Sequence, residues 1–314
     1  MFLLCQTPFF HVRIWRQITL LVRHKVNNSY RYCPYICLNI FIYYNQTPHM
    51  SVTKLTKYLS NYPPVVIPKH SSKISVPVVL SDSKGLCLQS KVSSRVGNNI
   101  LWWSERSRTT QAGGEWIKEN LPNKIRLLGN IHLYIWLGTC DFTSKSKGGT
   151  VSLYPTDTTQ HILDQYQQII RLMSDYAQSS ITFLEIPIFS FARYNQSVYN
   201  KRNKRKKEKH TTEQDLNNNQ NNLHEQDQEL QSRMLSVNTH IKRLNQSAGR
   251  VAPDLNKDLC KSAKVRTQHR RGPSPPVIKN KFSLYSDGIH PTHQLSQVWL
   301  RKLERQVFSD CWSH

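Results

Sequence analysis

The stretch Val76-Pro77-Val78-Val79-Leu80-Ser81-Asp82-Ser83 decides how this chain is read. The apolar run 76–80 is short and continuous, without the in-and-out alternation of a half-buried strand. Such a run reads as a strand covered on both faces, the kind that parallel sheets contain. The Ser-Asp-Ser turn ends it, and residues 84–92 open a helix.

Outward from this strand the same pattern returns three times, at 100–103, 133–137 and 181–188. Gly113-Gly114 reads as part of a polar loop, followed by a short helix near 115–120. The clearest helix spans 157–178. Asp157, Thr158 or Thr159 caps it, and Ile162, Tyr166, Ile169, Ile170, Met173 and Ala177 share one face. Helices are also expected over 224–246 and 292–308, and a last short strand over 282–285. Strands alternating with helices argue an α/β fold with a mostly parallel central sheet.

Composition bounds the rest. The chain has 314 residues, 43 Lys plus Arg against 20 Asp plus Glu, and a formal charge of +23. Its 38% apolar content lies below the roughly 45–50% usual for globular domains. The charge is uneven. Residues 1–49 carry five basic and no acidic residues, and 196–280 carry 18 basic and 8 acidic. Seven of the nine residues 201–209 are basic, and 217–222 is an Asn/Gln tract. The expected organisation is an N-terminal extension over 1–73 and one domain over 74–314. Residues 1–49 are expected to lie outside the folded unit. A disordered basic, Asn/Gln-rich insertion is expected at about 196–223, and loop-like chain over 247–280. Lys201, Arg202, Lys204, Arg205, Lys206 and Lys207 are the candidate contacts to RNA or DNA, which such a cluster attracts without reading sequence.

Several classes are excluded. Seven cysteines are too few for a disulfide scaffold. Cys33 and Cys37 form a lone CxxxC with no second pair, so no metal is expected. No apolar run reaches the roughly 18–20 residues of a membrane span. The first residues lack a signal-peptide core and cleavage site. With the Lys-rich run, this points to the cytoplasm or nucleus.

Three short motifs fall at the carboxyl ends of expected strands or in loops on that side, where open parallel sheets build their sites. They are Ser83, Gly138-Thr139-Cys140-Asp141, and Asp287-Gly288-Ile289-His290-Pro291. A carboxylate three residues before a histidine can receive one imidazole N–H and fix the tautomer. The other ring nitrogen is then free to take a proton from a serine. Ser83, His290 and Asp287 would together form a nucleophilic site.

These residues resemble the blocks of the SGNH (GDSL-type) hydrolase family. Residues 78–83 are similar to its first block, with Ser83 at the nucleophile position. Gly113 or Gly114 stands for the second-block glycine, 138–141 for the third block, and 287–291 matches the fifth block including its proline. The resemblance implies a three-layer α/β/α sandwich that hydrolyses small esters through an acyl-serine, with no cofactor. Ser83 would attack, His290 would act as base and Asp287 would orient it. Ser83, Gly113 or Gly114, and Cys140 would line the oxyanion hole. Three positions depart from the family. Ser81 replaces a glycine, Lys84 an apolar residue, and Cys140 the asparagine whose side chain would donate to the oxyanion. The reading ranked second is a non-catalytic scaffold of this fold that binds RNA or DNA through its basic segments. The third is an inert copy.

Overall fold

Apolar strands covered on both faces need helices on both sides, and the computed structural model has them. It describes residues 52–203, 213–263 and 277–313. The central sheet contains β1 (Val76–Ser81), β2 (Leu101–Ser104), β3 (Ile131–Trp136) and β6 (Ser180–Phe183), in the order β2-β1-β3-β6 with all pairs parallel. Four of the five strands expected from the sequence are therefore the four strands of the sheet. Pro77, which has no N–H, lies where β1 pairs only with β3; β2 joins from Val78 onward.

Successive residues of a strand face opposite sides, and each side has its own core. Val78, Leu80, Leu133 and Ile135 face α4 (Thr110–Leu128), α5 (Thr159–Ser174) and α7 (Glu213–Ser247), through Ile117, Ile162, Ile169, Met234 and Ile241. Val79, Tyr134 and Trp136 face α1 (Val52–Asn61), α2 (Ser83–Gln89) and α8 (His293–Cys311), through Leu55, Leu88, Val298 and Trp299. The chain is a three-layer α/β/α sandwich. A short helix α3 (Arg95–Asn98) precedes β2, and α6 (Phe191–Asn203) precedes α7. Two antiparallel pairs lie outside the main sheet: β4 (Thr143–Lys145) with β5 (Val151–Leu153), and β7 (Cys260–Ala263) with β8 (Val277–Asn280).

Several expectations are corrected. The core takes in chain before residue 74: residues 52–61 form helix α1, with Leu55 fully buried against α8. The expectation for 1–49 lies outside the described residues. Gly113 and Gly114 are not in a loop; α4 starts earlier and runs longer than the sequence suggested. The expected insertion at 196–223 is helical wherever it is described, at the end of α6 and the start of α7. Within the expected loop 247–280, residues 260–263 and 277–280 pair as β7 and β8 instead. Phe282–Leu284 is a 3-10 turn rather than a strand.

The exposed edge of β6 would offer unpaired backbone groups. Asparagine side chains cover it, each amide acting as a short piece of strand. Asn245 accepts from Phe183 N–H at 2.9 Å and donates to its carbonyl at 2.7 Å. Asn238, two helical turns earlier on α7, makes the same pair with Ile186 at 2.8 and 2.9 Å. Asn256 accepts from Ile188 N–H at 2.8 Å. The strand expected over 181–188 ends at Phe183; Leu184 N–H still reaches the Ile135 carbonyl of β3 at 2.8 Å, and the Ile186 and Ile188 N–H groups bond to amides. Asn245→Ala leaves both Phe183 backbone groups unpartnered in a buried site, and a loss of about 2–4 kcal/mol in urea unfolding is expected. A change below about 0.5 kcal/mol would contradict this covering role.

Candidate active site

The β1–α2 turn starts from a cap. Asp82 is buried and precedes the helix, and its Oδ1 accepts the Lys84 N–H at 2.9 Å. Ser83 is thus the first residue of α2, half-buried, and its own N–H has no acceptor within the helix. Ser81 ends β1. Its hydroxyl donates to the Trp136 carbonyl at 3.2 Å and accepts the Gly85 N–H at 3.1 Å. The room this serine takes is left by Gly85. A Cβ there would lie 2.7 Å from the Ser81 Cβ and 2.3 Å from the Ser104 hydroxyl. A serine at 81 in place of a glycine is balanced by a glycine one turn later.

The 287–291 motif forms a tight loop before α8. Asp287 Oδ1 accepts the backbone N–H groups of Ile289 and His290 at 3.0 and 2.8 Å. Gly288 has φ +98°, a left-handed backbone that favours glycine, and a Cβ there would lie 2.7 Å from the Tyr194 nitrogen of α6. Its carbonyl accepts Ser190 N–H at 3.1 Å. The His290 carbonyl accepts Ser286 N–H at 2.8 Å. Both ends of the loop are therefore held.

This loop delivers His290 to Ser83 across 207 positions of sequence. Ser83 Oγ lies 3.1 Å from His290 Nε2, and His290 Nδ1 lies 2.8 Å from Asp287 Oδ2. Burial pushes the Asp287 carboxyl up, but the hydrogen bonds from the His290 side chain and from the His290 and Ile289 backbone outweigh it. The carboxyl is held below the usual range. An ionised Asp287 can only accept, so Nδ1 carries the proton and Nε2 is left to accept from the serine hydroxyl. The His290 side chain is 33% exposed and Asp287 13%, so the imidazole is reachable and the carboxylate sheltered.

The 138–141 motif is tied to its neighbours through Asp141 and Cys140. Asp141, buried, takes Thr110 N–H at 3.1 Å and its hydroxyl at 2.6 Å, which ties the turn to the start of α4. The Cys140 thiol lies 3.9 Å from Asp82 Oδ2. Burial first, then the Asp82 charge, pushes this thiol up to about 12, so it is a neutral, weak donor turned toward Asp82. Lys84, 2% exposed, pairs with Asp82 Oδ2 and donates to Thr139 Oγ1 at 2.6 Å.

The glycines expected at the oxyanion hole lie inside α4. Gly113 N–H donates to Thr109 carbonyl at 3.0 Å inside α4, and a Cβ there would lie 2.3 Å from Leu137 Cδ1. Gly114 faces Gln165 and Ile169 of α5. Both are small because α4 packs closely on the sheet and on α5. Two other features escaped the sequence reading. One is the buried Asp82–Lys84 pair, hinted at only by a lysine in an apolar setting. The other is Ser107 in the β2–α4 loop, the non-glycine residue with a left-handed backbone among the described residues (φ 61°). Of the candidate nucleic-acid contacts, Lys201 and Arg202 are exposed at the end of α6, where Arg202 donates to the Gly148 carbonyl. Lys204, Arg205, Lys206 and Lys207 lie outside the described residues. Among the described residues, no helix is long and apolar enough to cross a membrane, and no three His, Cys, Asp or Glu side chains are grouped to hold a metal ion.

No family model matches the chain, and no curated protein matches it. Solved structures do. A GDSL-like lipase from Bacteroides thetaiotaomicron VPI-5482 is similar over 83% of this chain and 100% of its own, at 10% identity and TM-score 0.47. A lipase/acylhydrolase from Enterococcus faecalis is similar over 75% of this chain and 96% of its own, at 11% identity and TM-score 0.40. A member of the lipolytic protein G-D-S-L family from Veillonella parvula DSM 2008 is similar over 73% of this chain and 95% of its own, at 12% identity and TM-score 0.38.

Proposed function

We propose that the protein is a serine ester hydrolase working through an acyl-serine. The observation that carries this reading is the continuous relay from Ser83 Oγ to His290 Nε2 at 3.1 Å and from His290 Nδ1 to Asp287 Oδ2 at 2.8 Å. Ser83 attacks the ester carbonyl while His290 Nε2 takes its proton. Asp287 holds the tautomer and stabilises the imidazolium. The imidazolium then protonates the departing alcohol. Water, activated by the same imidazole, releases the acid from Ser83.

The negative charge that develops on the carbonyl oxygen needs donors. The Ser83 N–H at the start of α2 is the first of them. The side-chain donor expected at position 140 is a thiol engaged with Asp82. Loss of one such donor typically costs about 10²–10³ in rate, so a slow enzyme is expected.

On short-chain p-nitrophenyl esters, Ser83→Ala should lower kcat/KM by about 10³-fold or more, and Asp287→Asn by about 10²–10⁴-fold. Turnover unchanged in Ser83→Ala would overturn the reading. The acid response gives an independent check on Asp287. Its folded-state carboxyl ionises below the unfolded value of about 3.9, so its contribution to stability is present above that value. The contribution is lost as pH falls through the lower, folded value. Urea unfolding between about pH 6 and pH 3 should therefore show a shallower loss of stability in Asp287→Asn than in wild type. Identical slopes would contradict the assigned ionisation.

A further inference from the structure

The least expected group near the site is a buried ammonium. Lys84 is 2% and Asp82 1% exposed, and they pair on either side of Ser83, the residue between them in sequence. Burying two charges is costly in desolvation, and a neutral pair of similar volume is often as stable or more so. Stability alone therefore gives no reason for the pair. Its partners do. Lys84 Nζ donates to Thr139 Oγ1 at 2.6 Å and lies 5.7 Å from the centre of the Trp136 ring. The Cys140 thiol meets Asp82 Oδ2 at 3.9 Å. Two bonds thus cross from the turn after β1 to the turn after β3. In the same turn Asp82 Oδ1 holds the first N–H after Ser83 at 2.9 Å.

We propose that Lys84 is a positioning residue for Ser83. With Asp82 and Thr139 it clamps the nucleophile turn to the turn after β3, and so fixes the Ser83 hydroxyl and N–H against the reacting carbonyl. This role rests on the hydrolase reading. Lys84 touches neither substrate nor the reacting atoms; it acts through the position of Ser83. A displacement near 1 Å at a reacting group can cost about 10²-fold in rate without weakening substrate binding. A clamp of this kind therefore belongs to kcat.

The test uses the full chain and a p-nitrophenyl ester. The double variant Asp82→Asn, Lys84→Met removes both charges together, keeps a capping side chain at 82 and keeps the volume at 84. Its melting temperature should stay within a few degrees of wild type, its KM within about twofold, and its kcat should fall about tenfold or more. Thr139→Val, which removes only the acceptor, should lower kcat in the same sense. Thr139→Ser, which keeps the hydroxyl, should restore it. Should the double variant fail to fold, the Thr139 pair still decides. A folded double variant or Thr139→Val with wild-type kcat overturns the clamp while the hydrolase reading stands. A rise in KM with kcat unchanged overturns it too. A wild-type protein that turns over no ester overturns both, so the two failures are told apart.

Discussion

The pairing of β1 with β3 is the constraint on which the rest depends. Six residue pairs run in parallel from Val76 and Ile131 to Ser81 and Trp136. Because this ladder is flanked by β2 and β6 and covered on both faces, its register cannot slip without turning every side chain to the wrong core. The register sets Ser81 beside Trp136, so the turns that follow the two strands emerge next to each other. The Ser81 hydroxyl reaching the Trp136 carbonyl, Lys84 reaching Thr139, and Cys140 reaching Asp82 are all consequences of that one alignment.

The second theme is the number of buried polar side chains that take the place of backbone. Asn238, Asn245 and Asn256 cover the edge of β6. Asn195 of α6 accepts Val151 N–H at 2.8 Å and donates to its carbonyl at 2.7 Å, which does the same for β5. Asp227 of α7 takes Phe191 N–H at 2.6 Å at the start of α6. A buried amide or carboxylate left unpaired is costly, so these groups fix one arrangement rather than merely adding attraction. They also join α6, α7 and the chain after β6 into a support for the loop that carries Asp287 and His290. Gly288 packs against α6 at a distance no side chain would allow.

The strands and the turn that holds Ser83 were legible because their signals are local. A continuous apolar run of five ends at a turn, and that turn at the carboxyl edge of a parallel strand is where a site belongs. The Asp287 to His290 spacing is likewise local, and the structure closes it onto Ser83. What escaped reading depends on distant neighbours. Gly113-Gly114 looked like a loop because glycine is a poor helix former. In α4 the absent Cβ makes room for Leu137, and that gain outweighs the propensity. The Asn/Gln tract at 217–222 looked unable to order itself, yet its backbone continues α7, whose later turns bury Leu230, Met234 and Val237. Lys84 looked like a departure from an apolar position. Its carboxylate partner is two residues away, but the hydroxyl that completes the clamp is 55 residues away.

The central claim is that Ser83 is a nucleophile made reactive by His290 and Asp287. Reaction of the purified full-length protein with a fluorophosphonate, followed by peptide mass spectrometry, tests it most directly, because the probe needs the nucleophile and its base but no knowledge of the natural ester. A single phosphonyl adduct on Ser83, abolished in His290→Ala, is the expected result. No adduct, or an adduct on Ser83 that forms as fast in His290→Ala as in wild type, would contradict it.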